Sequence, residues 1–281
     1  MDVKIQFFSG GYSTHREAIV MRGGSWKSIA FPAVFAVITH PRIGIILYDT
    51  GYSARFFEET RNFPARLYAM ITPVVYEARD NAAVQLKDLG IDPADVKYII
   101  TSHFHADHVG GLKDFPNTKF ICSRAGYESV KPRRGLNAVK AGFLAGLIPN
   151  DFEVRALYVE NQSQVALDSS YAPFQSGYDI FKDGSCYLVD LPGHVVGQLG
   201  LFITAEDQKR YFLIADACWV SRAYKELRYP HPITQLITSN YKEYQDTLQK
   251  IYQFHRLHPE VIVVPTHCNE QYQDLASGVL A

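Results

Sequence analysis

A cluster of histidine and carboxylate side chains at residues 101–111, TSHFHADHVGG, is the feature of this sequence most capable of chemistry. It places three histidines and one aspartate within six positions, directly after the apolar run VKYII. Side chains of an extended segment alternate between its two faces, so His103 and His105 point the same way and could hold one metal ion. The turn that follows could direct Asp107 and His108 at a second ion. Imidazole and carboxylate ligands suit Zn, Fe or Mn, and the lack of a thiolate cluster argues against a purely structural zinc site.

Three further residues of the same types could complete these sites. His194 follows the run CYLVDL, Asp216 follows RYFLIA, and His267 follows EVIVV. Each is a lone ligand at the carboxyl end of a predicted strand, where open α/β sheets gather their ligands. We therefore expect four strand ends to converge on one cleft. The remaining histidines lack this context and are interpreted as structural or solvated: His15, His40, His231, His255 and His258.

The elements that must position these residues alternate between strands and helices, which predicts an α/β class. Short β-branched or aromatic runs predict strands at 35–39, 44–48, 96–101, 119–122, 186–190, 199–204, 210–215 and 261–264. Helical periodicity predicts helices at about 77–89, 137–147 and 241–257. We expect one domain over 1–281, with an insertion at about 112–180 where the pattern weakens.

Composition limits the partners of the chain. The 281 residues include 28 Lys+Arg and 29 Asp+Glu, and the net charge of −1 gives no field that would attract nucleic acid or anionic lipid. No stretch approaches the 18 apolar residues of a membrane span, and the N-terminal residues do not resemble a signal peptide. Four scattered cysteines fit reduced thiols. We therefore expect a cytoplasmic protein that acts on a small molecule, without nucleic acid or membrane.

The motif HFHADH at 103–108, followed in order by His194, Asp216 and His267, resembles the HxHxDH motif set of the metallo-β-lactamase superfamily. The resemblance implies a four-layered αβ/βα sandwich. It also implies that one metal binds His103, His105 and His194, that a second binds Asp107, His108 and His267, and that Asp216 bridges them. The YDTG segment at 48–51 resembles the early strand end of that family, so Asp49 is expected to orient a ligand, with a strand-capping turn as the alternative.

The motif set, without cysteine among its ligands, is most similar to N-acyl homoserine lactonases, related organophosphate and ester hydrolases, and glyoxalase-type thioesterases. Lactonases of this kind carry a tyrosine three residues after the bridging aspartate, where this sequence has Trp219. Tyr224 or Tyr229 could reach the same place, or could be ordinary packing residues. Phe143, with Trp219 and Tyr224, could line a pocket for an acyl or aromatic group, although a helix packed on the core or in a homodimer interface is an equal alternative. The basic residues Lys131, Arg133 and Arg134 are interpreted as a solvated charge run.

The resulting hypothesis is a hydrolase with two divalent metal ions, Zn first and Fe or Mn as alternatives. A hydroxide bridging the metals would attack a lactone, ester or thioester, Asp216 would hold the metals, and Asp107 would pass a proton to the leaving group. One alternative is an iron-dependent oxidoreductase, similar to persulfide dioxygenases, on the same ligands. Another is an organophosphate or phosphoester hydrolase.

Overall fold

Two mixed β-sheets pack face to face in the computed structural model, which describes residues 3–277. The first sheet has the strand order β4-β1-β2-β3-β5-β6-β7, and the second has the order β13-β12-β11-β10-β9-β8. Their bounds are β1 Lys4–Arg16, β2 Ser28–His40, β3 Gly44–Tyr48, β4 Val74–Val75, β5 Val96–Ile100, β6 Lys119–Cys122, β7 Ala156–Tyr158, β8 Val165–Ala166, β9 Ser176–Asp179, β10 Cys186–Asp190, β11 Leu199–Thr204, β12 Arg210–Ala215 and β13 Ile262–Pro265.

Helices pack against both sheets. They are α1 Glu17–Val20, α2 Arg55–Glu59, α3 Arg66–Ile71, α4 Ala82–Asp88, α5 Ala106–Val109, α6 Arg124–Val130, α7 Gly135–Lys140, α8 Phe152–Arg155, α9 Ser221–Lys225, α10 Tyr241–Leu257 and α11 Asn269–Ala276, with short 3₁₀ turns between several of them. Within residues 3–277, none of the helices has the length and hydropathy that a bilayer crossing requires.

The core has three parts, which follow from the alternation of side chains along each strand. Between the sheets, residues such as Ile38 of β2 and Leu201 of β11 pack together. Their neighbours in sequence face outward, so Val37 packs under the helices of the first sheet and Phe202 under α10. The alternation of side chains along the strands therefore produces the layer order helix, sheet, sheet, helix. The expected four-layered sandwich is confirmed.

Strands β3, β6, β10, β11 and β12 and helix α10 have the bounds that periodicity predicts. The sequence prediction missed β1, because a register shift between Ser9 and Tyr12 interrupts the alternation in its middle. The helix predicted at 77–89 is too long, since Asn81 adopts an extended conformation and its side chain caps α4 by accepting from the amides of Ala83 and Val84.

The middle of the chain, interpreted above as an insertion, contributes strands to both sheets: β6 and β7 to the first and β8 and β9 to the second. The helix predicted at 137–147 is also too long. Helix α7 ends at Lys140, because Gly142 has a φ of +60° that a right-handed helix cannot contain, and a 3₁₀ turn follows at Ala145–Leu147.

Candidate metal centre

The seven histidine and aspartate residues singled out in the sequence lie together, in two adjoining groups. In each group the candidate ligand atoms lie within 4.8 Å of one another. The groups consist of His103, His105, His194 and Asp216, and of Asp107, His108 and His267. Five of the seven residues lie in loops after β5, β10, β12 and β13, and Asp107 and His108 lie in the short helix α5 that follows β5, so the carboxyl ends of strands from both sheets meet at this point.

Asp216 contacts both groups. Its Oδ2 atom lies 3.4 Å from Nε2 of His194 in the first group and 3.2 Å from Nε2 of His267 in the second, while its Oδ1 atom lies 3.3 Å from Nε2 of His108. The residue before it, Ala215, has a φ of 47°, a left-handed conformation that turns the chain sharply at the end of β12. The carboxylate therefore stands between the groups.

Hydrogen bonds to Nδ1 fix the orientation of two imidazoles of the cluster. His108 donates from Nδ1 to Oδ2 of Asp49 at 2.8 Å, and His267 donates from Nδ1 to the carbonyl oxygen of Pro32 at 2.7 Å. Asp49 also accepts from the backbone amide and the hydroxyl of Ser102. Because Nδ1 of both imidazoles carries the proton, Nε2 is the atom left for a ligand, which is the usual arrangement behind a metal-bound histidine.

The cluster contains buried polar atoms that protein groups do not satisfy. Among the residues that the structure describes, Nε2 of His103, Nε2 of His108 and Oδ1 of Asp216 make no hydrogen bond of good geometry, although the last two atoms lie 3.3 Å apart. Leaving such atoms unpaired is costly in a folded protein. Three orphaned atoms within a cluster of imidazoles and carboxylates fit divalent metal ions, whose preferred ligands these are.

The pKa values differ between the groups. Burial lowers the pKa of His103 well below its usual range and that of His105 to about 3, and neighbouring imidazoles act in the same direction. Around His267, burial opposes the charged form but the carboxylates of Asp216 and Asp107 outweigh it, and they raise the pKa to about 10. Burial likewise opposes ionisation of Asp107, yet His108 and His267 hold its pKa at about 2. The second group thus attracts positive charge, which metal cations would supply in place of protons.

An apolar cleft of about 560 Å³ opens above the cluster. His105, Asp107, His194 and Asp216 form part of its lining, and Trp219 lies beside them with its ring centroid 4.4 Å from that of His267. The rest of the lining comes from distant segments and includes Ile19, Val20, Ile71, Leu136, Val139, Leu236 and Ile237. Trp219 thus lines this cleft, and its part in binding a substrate stays a prediction.

Two other predicted cleft residues lie elsewhere. Tyr224 is buried among α10 and β13, where its hydroxyl donates to the carbonyl of Val263, because α9 turns it toward the core. Phe143 is 3% exposed and packs in the core under the first sheet. Tyr229 packs at the edge of the cluster that contains Tyr224. Tyr224 and Phe143 are therefore not among the residues that line this cleft, and both pack in the core instead.

The sequence interpretation also missed cleft residues. His15 lines the cleft with its ring centroid 5.6 Å from that of Trp219, although it was interpreted as structural or solvated. Ser13, Tyr52 and Tyr68 line the cleft as well. Ser13 and His15 are two residues apart on β1 and therefore share a face, a signal that recognition of β1 would have provided.

Backbone packing holds the position of His105. Gly142 lies so close that a Cβ atom placed on it would come within 2.5 Å of Cδ2 of His105. The turn after α7 thus covers one side of this imidazole.

Comparison with known proteins agrees with this arrangement. The sequence profile described as "Metallo-beta-lactamase superfamily" matches residues 36–267. The N-acyl homoserine lactonase AttM of Azorhizobium caulinodans is 30% identical over 224 residues, which cover 79% of this chain and 78% of that protein. The N-acyl homoserine lactonase AiiB of Agrobacterium fabrum is 24% identical over 179 residues, 64% of this chain and 60% of that protein.

Solved structures share the fold. An N-acyl homoserine lactone hydrolase with the product N-hexanoyl-L-homoserine at its catalytic metal centre has a TM-score of 0.68 and 21% identity, covering 98% of this chain and 97% of that one. A variant of AiiA from B. thuringiensis, with N-decanoyl-L-homoserine bound, has a TM-score of 0.69 and 21% identity, with coverage of 98% and 97%. At this identity the likeness concerns the fold alone.

Proposed function

The chain belongs to the metallo-β-lactamase superfamily as a metal-dependent hydrolase, and we propose that it uses a dinuclear metal centre to open a lactone or ester that carries an apolar acyl group. The observation that carries this proposal is the position of two adjoining ligand groups at the base of an apolar cleft. The names of the relatives, which are N-acyl homoserine lactonases, support a lactone as the first substrate to test.

The seven side chains fit a pair of divalent cations, with Zn²⁺ the simplest choice for such ligands. We assign His103, His105 and His194 to one ion and Asp107, His108 and His267 to the other, and Asp216 to both because it faces both groups. When bound, such ions acidify a water molecule and polarise a carbonyl group.

Other steps belong to the protein itself. Asp107 is the more exposed of the two central carboxylates, at 7% against 1% for Asp216, and it lines the cleft. Its low pKa keeps it ionised at neutral pH, so its carboxylate can accept a proton from the attacking water and return it to the leaving oxygen. The apolar wall holds the acyl group and excludes water from around the carbonyl.

The test combines metal analysis with a hydrolysis screen over acyl homoserine lactones, aryl esters, thioesters and phosphotriesters. The variants are Asp107→Asn and His267→Ala. Their matched controls are Asp246→Asn, an exposed aspartate of α10, and His255→Gln on the same helix. We expect about two metal ions per chain, and a fall in kcat of about 100-fold or more for Asp107→Asn, since a lost proton carrier commonly costs this much.

Unchanged turnover in Asp107→Asn and His267→Ala would contradict the proposal. Bound iron, a spectral change on adding oxygen and no hydrolysis would instead favour the iron-dependent oxidoreductase. Turnover of phosphotriesters alone would favour the organophosphate hydrolase. A cytoplasmic location and a homodimer stay predictions, because neither depends on the geometry of this site.

A further inference from the structure

A second, smaller cavity adjoins the cleft beside the first ligand group. Its volume is about 260 Å³, and we call it the side chamber. His105, His194 and Lys140 line both spaces, so a molecule bound at the ligand groups can extend into either one. The wall of the side chamber also includes Arg133, whereas none of its lining residues is an aspartate or glutamate.

The structure separates the basic residues of this region into two kinds. Lys131 forms an ion pair with Glu153 at 2.8 Å, and Arg134 donates to the backbone carbonyls of Lys131 and Arg133. Arg133 uses only Nε, which donates to the carbonyl of Ser129 at 2.8 Å, and the ammonium of Lys140 has no bond to any described residue. The interpretation of 131–134 as one solvated run is therefore too coarse, because only Arg133 of this run lines the side chamber.

The hydroxyl groups of the side chamber have no proton left to donate. Ser129 donates to the carbonyl of Gly126, Thr238 to that of Thr234, and Ser239 to that of Gly193. The charged donors left free are thus the two nitrogens at the end of the Arg133 guanidinium and the ammonium of Lys140, in addition to the neutral side-chain amide of Gln235. Such groups bind carboxylate or phosphate through charge-assisted hydrogen bonds.

We propose that the side chamber binds an anionic group, a carboxylate or a phosphate, of a substrate whose apolar part occupies the cleft. This rests on the proposed function, which it narrows from acyl lactones and esters in general to acyl compounds that carry a negative charge near the scissile carbonyl. Both cations are exposed, so the attraction is partly screened and weakens as salt is added.

The first test compares two esters of equal chain length, the mono-4-nitrophenyl ester of glutarate and 4-nitrophenyl pentanoate. The readout is the ratio of their kcat/KM values in the metal-loaded enzyme. In Arg133→Gln/Lys140→Gln we expect this ratio to fall by about tenfold, which is typical for loss of a charge-assisted contact. The control, Lys131→Gln/Arg134→Gln, removes the same charge from the same surface and should keep the ratio.

The second test measures binding without catalysis, by calorimetric titration of metal-free protein with glutarate and with inorganic phosphate. Weaker binding in Arg133→Gln/Lys140→Gln alone supports the side chamber, and the tighter probe identifies the anion. Equal losses in both double variants would reveal a net-charge effect and overturn the inference, as would the absence of binding by either probe. If neither ester is hydrolysed but binding depends on Arg133 and Lys140, the proposed function fails and the side chamber stands.

Discussion

At the scale of single residues, the candidate ligands depend on groups that never touch the cleft. Asp49 is fully buried, accepts from Ser102 and fixes the ring of His108. Its φ is 61°, in the left-handed region, which Asp adopts more readily than most residues other than glycine. The hydrogen bond between this buried carboxylate and His108 supports the prediction from the YDTG segment that Asp49 orients a ligand, and that role stays a prediction.

We predict that Asp49→Asn weakens metal binding by about 10- to 100-fold, because the amide cannot replace the charged acceptor behind His108. Competition with a chelator measures the change in affinity. Circular dichroism shows whether the variant is folded, and Asp246→Asn is the matched control. A variant that folds and binds metal as tightly as the parent would assign Asp49 to strand capping alone.

At the scale of elements, turns between strands carry polar groups whose protonation affects the fold. His40 ends β2, and its Nδ1 atom accepts from the backbone amides of Arg42 and Ile43 at 3.2 Å each. Its Nε2 atom faces Ser185 and Asp183, in the loop before β10. The ring thus joins a hairpin of the first sheet to the second sheet, and it does so as a neutral imidazole.

We predict that this contact makes stability depend on pH. Burial lowers the pKa of His40 below its usual 6.5, against the opposing effect of Asp183. Because the folded state has the lower pKa, the contribution is present above about pH 6.5 and is lost as the pH falls through the folded pKa. Denaturant unfolding between pH 5 and 8 measures how the free energy of unfolding changes with pH.

In His40→Gln the free energy of unfolding should depend less steeply on pH. The slope should decrease by at most about 1.4 kcal/mol per pH unit, since one titrating group is removed. His231→Gln, which changes a histidine far along the chain, is the control. An identical slope in His40→Gln and the parent would show that His40 titrates alike in the folded and unfolded states.

At the scale of the whole molecule, the candidate centre joins the two sheets. His103, His105, Asp107 and His108 follow β5 of the first sheet, while the other three follow strands of the second. This much could be predicted from sequence, because ligands placed after apolar strands must gather at the carboxyl ends of those strands. The wall of the cleft could not be predicted in the same way. Its residues come from α1, α3, α7 and the loop around Leu236, and only tertiary packing brings them together.

The same limit explains the individual errors. Tyr224 and Phe143 are aromatic residues in the right part of the chain, but sequence alone does not say toward which side a short helix turns its side chains. His15 was missed because its strand was missed. The dense motif at 103–108 and the YDTG segment pointed to residues that the structure places in or next to the ligand groups, whereas the sequence did not indicate the residues that form the wall of the cleft.

We predict that loading with Zn²⁺ stabilises the whole chain, since the ions would link both sheets. Free metal at 100 times Kd adds about 2.7 kcal/mol to the free energy of unfolding. For a chain of 281 residues, that corresponds to a rise in Tm of roughly 5 °C. Scanning calorimetry of metal-free and loaded protein measures the shift, and His267→Ala should show a smaller one. Equal Tm values at confirmed metal content would mean that the unfolded chain binds the metal as tightly as the folded protein, and they would contradict the prediction.

The contact between Gly142 and His105 limits which positions can be substituted when the specificity of this chain is engineered. Helix α7 supplies Leu136, Val139 and Lys140 to the binding spaces, which makes it an obvious target for randomisation. Yet the helix ends in a turn that rests on a candidate metal ligand, and any side chain at position 142 would collide with that ring. A combinatorial library through this helix should therefore keep Gly142 unchanged, because a side chain at this position would displace His105 and weaken metal binding.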